Sequence, residues 1–201
     1  MTALAKTKFA PRICDRASWP FCYLLLERVF PVTMVECVIA WLERDAPWRL
    51  VETDFYEQYE FSLLDAELPV TLGHLVEPTG LDAARCFIEE QFGCRLANRV
   101  DLVAHKLLPG QRIAIHNDHL VGEETHRLTV QLNRGLSDED GGFFMLFNSF
   151  DAADVHRILR PVCNTAIAFE ISTKSHHAVS RLHGGERYTL VYSFHACRPD
   201  T

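Results

Sequence analysis

The 201-residue sequence has no Cys-x-x-Cys, no Lys/Arg-rich run and no apolar stretch near the roughly 20 residues needed to span a bilayer. Each absence narrows the function. With a net charge of −7, a broad basic surface for a nucleic-acid backbone is excluded, so no nucleic-acid partner is expected. H-E-x-x-H is missing, which disfavours a zinc protease, and neither G-x-G-x-x-G nor G-x-x-x-x-G-K-[ST] occurs, which disfavours a nucleotide-binding enzyme. The opening MTALAKTKFAPRICD lacks the apolar centre of a secretion signal, so a cytoplasmic protein with no membrane partner is expected. The seven cysteines are odd in number and scattered among apolar neighbours such as PFCYLLL and AARCFIE, and they read as reduced core thiols.

What is present is the composition of a soluble globular protein, 48% hydrophobic and 10% aromatic, in a length that suits one domain over 1–201. Residues 33–45 place Val35, Val38, Ile39 and Leu42 at helical spacing after Pro31. Residues 48–63 are aromatic and β-branched with partial alternation, which predicts one or two strands. A second helix is expected over 80–94, capped near Asp82 and ended by Gly93. These elements, within about 1–98, read as support.

From about residue 99 to 197 the texture changes to short strand-like segments at spacings of roughly 8–12 residues, among them RVDLVAHKL, HRLTVQLN, TAIAFEIS and RYTLVYSFHA. Seven or eight such segments predict an antiparallel sandwich or small barrel on which the helices pack. No linker or repeat separates the halves.

The chemistry gathers in the strand-rich half. In IAIHNDHL, His116 and Asp118 stand two apart, which on a strand puts both on one face. Ten His and twelve Asp make such a pair expected about 0.6 times by chance, so it carries nothing alone. His177 follows in SHHAVSRL, and two histidines with one carboxylate form the facial set that holds Fe(II) with open positions. Arg187 and Thr189 then share a strand face, where a guanidinium and a hydroxyl could bind a carboxylate. R-x-[ST] occurs three times in the chain, at Arg16/Ser18, Arg127/Thr129 and Arg187/Thr189, so only order separates the last from the others.

In order and approximate spacing, LLPGQRIAIHND, HRLTVQLN, DEDGGFFMLF and HAVSRLHGGERYTLVYSF resemble the Fe(II)- and 2-oxoglutarate-dependent oxygenases, in particular the prolyl-4-hydroxylase-like branch. The resemblance implies a mainly β fold with supporting helices (α+β). That fold is a double-stranded β-helix of the jelly-roll or cupin-like kind, with N-terminal helices packed on the larger sheet. It implies His116, Asp118 and His177 as catalytic metal ligands, and Arg187 assisted by Thr189 for the distal carboxylate of 2-oxoglutarate. Many relatives carry a Tyr where this chain has Gln131, an amide that could do the same work. The implied reaction is hydroxylation of an unactivated C–H bond in an amino-acid or peptide-like substrate, with O2 consumed and 2-oxoglutarate converted to succinate and CO2. Ascorbate is an optional supporting reductant. Asp118 favours oxygen insertion, because the related halogenases carry a small residue at that position.

Other readings stay open at this point. Arg187 could pair with Glu170 or Glu186, and only one of His176 and His177 can reach a metal. Of the remaining histidines, His119, His126, His156 and His183 read as solvated. Phe143/Phe144 and Tyr56/Tyr59/Phe61 read as core before groove, and the acidic segment VGEETH (121–126) as a lid or a turn. A non-catalytic β-helix module that binds metal or 2-oxoglutarate for sensing or partner recognition is the alternative function. A cupin-like hydrolase or isomerase would not need Arg187. Whether the chain is a monomer or a homodimer is left undetermined.

Overall fold

The computed structural model describes residues 9–121 and 124–197. Two helices, α1 (Val32–Arg44) and α2 (Pro78–Phe92), precede most of the strands. In chain order the strands are β1 (Arg12–Ala17), β2 (Tyr23–Glu27), β3 (Arg49–Glu52), β4 (Glu57–Ser62), β5 (Leu96–Leu107) and β6 (Ile113–His116). They continue with β7 (Glu124–Gln131), β8 (Phe144–Phe147), β9 (Val155–Leu159), β10 (Thr165–Glu170), β11 (His177–Val179) and β12 (Arg187–Ala196).

Among the described residues twelve strands form two antiparallel sheets, one of eight in the order β1-β2-β10-β7-β12-β5-β4-β3 and one of four in the order β6-β11-β8-β9. This is the double-stranded β-helix expected, with the helices on the larger sheet.

Strand alternation divides the large sheet into two faces. Leu102, Ala104, Leu128, Val130, Leu190 and Phe194 point outward and are covered by Val35, Val38, Ile39 and Leu42 of α1 and Ala84 and Ile88 of α2. Each large apolar side chain buried there stabilises the fold by about 1.5–3 kcal/mol, more than helix propensity alone supplies. The inner face joins Phe144, Leu146 and Val179 of the small sheet in a second cluster with Leu107, Ile167 and Phe169. That inner layer positions the site.

Several expectations need correcting. Asp82 does not cap α2: Glu77 holds the N-cap position, Pro78 opens the helix with its fixed φ, and Asp82 instead pairs with Arg85 at 3.2 Å. The C-terminal end is as expected, with Gly93 at φ 64. Strands β1, β2 and β9 were not anticipated. All seven cysteines are free, yet none is fully buried, because four lie on exposed positions and three are half-buried. Within 121–126, Gly122 and Glu123 lie outside the described residues, while Glu124 to His126 begin β7. No helix among the described residues is long and apolar enough to cross a membrane.

Candidate metal centre

His116 ends β6 and His177 begins β11, and the two strands pair with these residues directly in register. Their ring centroids are 4.2 Å apart. Each Nδ1 faces a backbone carbonyl two residues earlier, at 2.9 Å to Ala114 and 2.8 Å to Ser175. A carbonyl can only accept, so each Nδ1 carries the proton and each Nε2 keeps a free lone pair.

Both lone pairs converge on Asp118, whose Oδ1 is 3.3 Å from His116 Nε2 and whose Oδ2 is 3.2 Å from His177 Nε2. One ligand atom from each residue lies within 4.8 Å of the others. Asp118 does not share the strand with His116, as the spacing suggests. It follows the end of β6 in the left-handed region, φ 57, which a short polar side chain tolerates. The turn is tied down locally: Asn117 Oδ1 accepts the His119 N–H at 3.1 Å, and Ser175 Oγ donates to Asn117 O at 2.8 Å. His116 and Asp118 therefore meet through this turn and not through strand alternation.

Aromatic rings enclose the centre. Phe144 stacks on His177 at 5.3 Å, Phe169 meets it edge-on at 5.0 Å, and Phe55 lies 4.9 Å from the His116 ring. His176 turns away toward Phe150, which leaves His177 as the inward member of the doublet.

Arg127 Nη1 donates to Asp118 Oδ2 at 2.5 Å, and its Nη2 donates to Glu124. Burial alone would raise the Asp118 pKa, but the Arg127 charge and then His177 hold it well below the usual carboxylate range. Burial lowers His177, against the pull of Asp118. Both imidazole and carboxylate are thus in the states that ligate a metal at neutral pH.

Arg187, 3% exposed, opens β12 on the inner face. Its Nε donates to Gly142 O at 2.9 Å and its Nη1 to Thr189 Oγ1 at 2.9 Å. Neither Glu170 nor Glu186 reaches it, and among the described residues no carboxylate lies within ion-pair distance; Glu186 instead accepts from Tyr188. Burial pulls the guanidinium pKa down to about 10. Gln131 reaches Arg187 only through Thr189, whose hydroxyl is 3.4 Å from Gln131 Oε1, and its side chain lines a neighbouring cavity.

The three converging ligands, Arg187 and Thr189 line one cavity of about 320 Å³. Among the further residues lining it are Gln58, Glu60, His105, Glu124 and Arg127, none of which was given a site role from sequence. Arg127 had a signal, since it stands in phase with Thr129 and Gln131. His105 sits in the cavity wall, held neutral by burial and then by the Arg127 and Arg187 charges, which bring its pKa to about 3. Of the aromatics, Phe144 and Tyr56 line the cavity, whereas Phe61 packs between Trp41 and Trp48. His126 is buried against Phe92 rather than solvated, and His156 is half-buried near Tyr23; His119 and His183 are exposed as expected.

No protein-family model and no curated protein matches the chain. Solved structures do. A Pseudomonas putida prolyl-4-hydroxylase aligns at 19% identity over 88% of this chain and 93% of its own, with a TM-score of 0.72. A Trichoplax adhaerens prolyl hydroxylase, solved with a peptide fragment of the hypoxia inducible factor oxygen degradation domain, aligns at 10% identity over 86% and 83%, TM-score 0.71. A 2OG-Fe(II) oxygenase family oxidoreductase from Burkholderia pseudomallei aligns at 20% identity over 88% of each chain, TM-score 0.64. The fold implied by the sequence motifs is therefore the observed one, the double-stranded β-helix of prolyl-4-hydroxylase-like 2-oxoglutarate oxygenases.

Proposed function

We propose that the protein is an Fe(II)/2-oxoglutarate-dependent dioxygenase that hydroxylates an unactivated C–H bond of an amino-acid or peptide-like substrate. One observation carries this: a buried guanidinium without a carboxylate partner lines the same cavity as three converging N, O and N ligands. A buried unpaired cation is costly, and an anion recovers that cost. His116, Asp118 and His177 would hold Fe(II), and Arg187 with Thr189 would hold the distal carboxylate of 2-oxoglutarate. The two Nδ1–carbonyl bonds support this fit, because they orient both imidazoles as ligands with no metal needed to do so.

With O2, the metal and cosubstrate supply the oxidising chemistry: one oxygen atom enters the substrate as hydroxyl, the other enters succinate, and CO2 leaves. The chain's own residues bind, orient and exclude water. Phe55, Phe144 and Phe169 wall the metal side with apolar rings, which protects a reactive site from side reactions. The whole chain acts as one catalytic domain in this reading, and the peptide bound to one structural neighbour supports a peptide-like substrate. A cytoplasmic location belongs to the same reading, supported by seven unpaired cysteines and tested by cell fractionation.

The test is anaerobic reconstitution with Fe(II) and 2-oxoglutarate, reading the weak visible charge-transfer band of the chelate, then succinate after O2 is admitted. Band and succinate in wild type, lost or weakened in His177→Ala and Arg187→Ala, are expected. Binding of 2-oxoglutarate without any succinate would instead favour the non-catalytic sensing module. A folded, iron-loaded protein giving neither signal would overturn the proposal.

A further inference from the structure

β4 brings Gln58 and Glu60 to the inner face beside β5, with Glu60 paired in register with His105 and His105 with Thr189. Glu60 therefore stands two strands from Thr189 on the same row, about 10 Å away by strand spacing. It lines the cavity of the metal centre, as do Gln58 and Tyr56.

The charges along this cavity can be paired off. Arg127 bonds Glu124, and in the proposed holoenzyme Arg187 takes the distal carboxylate while the metal is balanced by Asp118 and the second carboxylate of 2-oxoglutarate. Glu60 is left over. Among the described residues the one basic group within 4 Å of it is His105, whose Nε2 at 3.8 Å is too far for a hydrogen bond. Burial holds that ring neutral, at a pKa of about 3.

A second observation falls at the same place. Gln58 is 1% exposed, and its Nε2 donates to Glu60 Oε2 at 2.8 Å while its Oε1 has no partner. The amide cannot be turned over, because that would set Oε1 against the carboxylate. A carboxylate whose one side-chain donor is a neutral amide thus stands beside a carbonyl that has no donor at all. Leaving a buried acceptor unmade costs free energy, so such an atom inside a ligand cavity points to a donor on the ligand. Phe55 and Tyr56, 4.8 Å apart, add aromatic surface favourable to a cation.

Building on the oxygenase reading, we infer that Glu60 and Gln58 form the subsite for a protonated amine of the prime substrate. An ammonium offers several donors and one positive charge, matching both acceptors. A peptide N–H could meet one of these acceptors, but it brings a single donor and no charge for the carboxylate. A cavity of about 320 Å³ is at the low end for ligand pockets, about 300–1,000 Å³, and it must also hold the cosubstrate. A free amino acid or another small amine is the class that fits.

The probes are the free L-amino acids and simple alkylamines, each against its N-acetyl form, titrated into protein loaded with Fe(II) and 2-oxoglutarate. The readout is the ratio of the two dissociation constants from the shift of the chelate band, with succinate release alongside. At least one amine should bind tenfold or more tighter than its acetylated form. That ratio should fall toward one in Glu60→Gln, decrease in Gln58→Leu, and survive in part in Glu60→Asp. Because each ratio is internal to one variant, partial loss of iron or fold does not imitate the effect. No amine preference anywhere in the panel, or a preference undiminished in Glu60→Gln, would overturn the inference while leaving the oxygenase intact. Absence of both chelate band and succinate in wild type would instead sink the oxygenase reading, and this subsite with it.

Discussion

Replacing Arg187 with Met should cost the protein its 2-oxoglutarate while costing the fold almost nothing. Burial pulls the guanidinium pKa well below its ordinary value, to about 10, which at about 1.36 kcal/mol per unit is about 3 kcal/mol opposing the charged form. Both folded and unfolded states keep the proton below pH 10, so this penalty is constant around neutrality and is relieved only as pH rises above about 10, where the folded state releases the proton before the unfolded state does. Met removes it. Against that gain stand the two hydrogen bonds to Gly142 and Thr189, each worth about 1.5–3 kcal/mol with a charged donor, less what Thr189 recovers from Gln131. The terms nearly cancel, and the variant should unfold within about 1 kcal/mol of wild type. Ligand binding is different. At 100 times its Kd, 2-oxoglutarate with anaerobic Fe(II) should stabilise wild type by about 2.7 kcal/mol, raising Tm by about 5–11 °C for a chain of this size. The variant should show almost no rise. A full ligand-induced rise in Arg187→Met, or a loss of more than about 3 kcal/mol without ligand, would refute the account of Arg187 as a stored, unpaired cation.

Gly142 has φ 67, and a Cβ there would sit 3.0 Å from both Arg187 Cδ and Leu182 Cδ1, so Gly142→Ala should lose about 1–2 kcal/mol in chemical denaturation. It should also weaken 2-oxoglutarate binding by calorimetry, and unchanged affinity would mean that Arg187 is not held by this contact. Burial lowers His126 to about 4 from its ordinary 6.5, so the unfolded state takes up a proton between these values before the native state does. Stability should therefore fall as pH drops from 6.5 toward 4, by up to about 3 kcal/mol in urea titrations, and His126→Gln should flatten that slope. Ser175 Oγ ties the Asn117 carbonyl, next to Asp118, to the residue whose own carbonyl orients His177, so Ser175→Ala should reduce Fe(II) affinity by about 10–100-fold in direct titration. An unchanged affinity would assign the turn its geometry from backbone alone.

How much was legible in the sequence follows from which interactions are local. The strands of the second half were readable because short β-branched and aromatic segments alternate with turn residues at regular spacing, a signal that survives even where β10 and β12 bury both faces. β2 was not readable because its apolar run, with Leu24 and Leu26 in the helix-covered core and Tyr23 in the inner cluster, is Leu-rich without a β-branched residue and so does not separate from a buried helical segment by periodicity. β1 beside it is mostly exposed and offers little apolar signal. The candidate ligand set was legible for a different reason, since its three members and Arg187 follow an order that motif spacing records. Gln58, Glu60 and His105 belong to no such motif. They meet because β4, β5 and β12 pair in one particular register, Glu60 to His105 to Thr189, across chain separations of 45 and 84 residues. A slip of one residue in β4 would send Glu60 outward into the helix-covered layer and bring Phe61 into the cavity. What fixes the register is the outer face: Phe61 lodges between Trp41 and Trp48, and Lys106 lies 5.0 Å from both the Trp48 and Tyr59 rings. The packing that looked like mere scaffold thus sets which charge faces the substrate, so repacking Trp48 or Phe61 should change substrate preference before it changes metal binding.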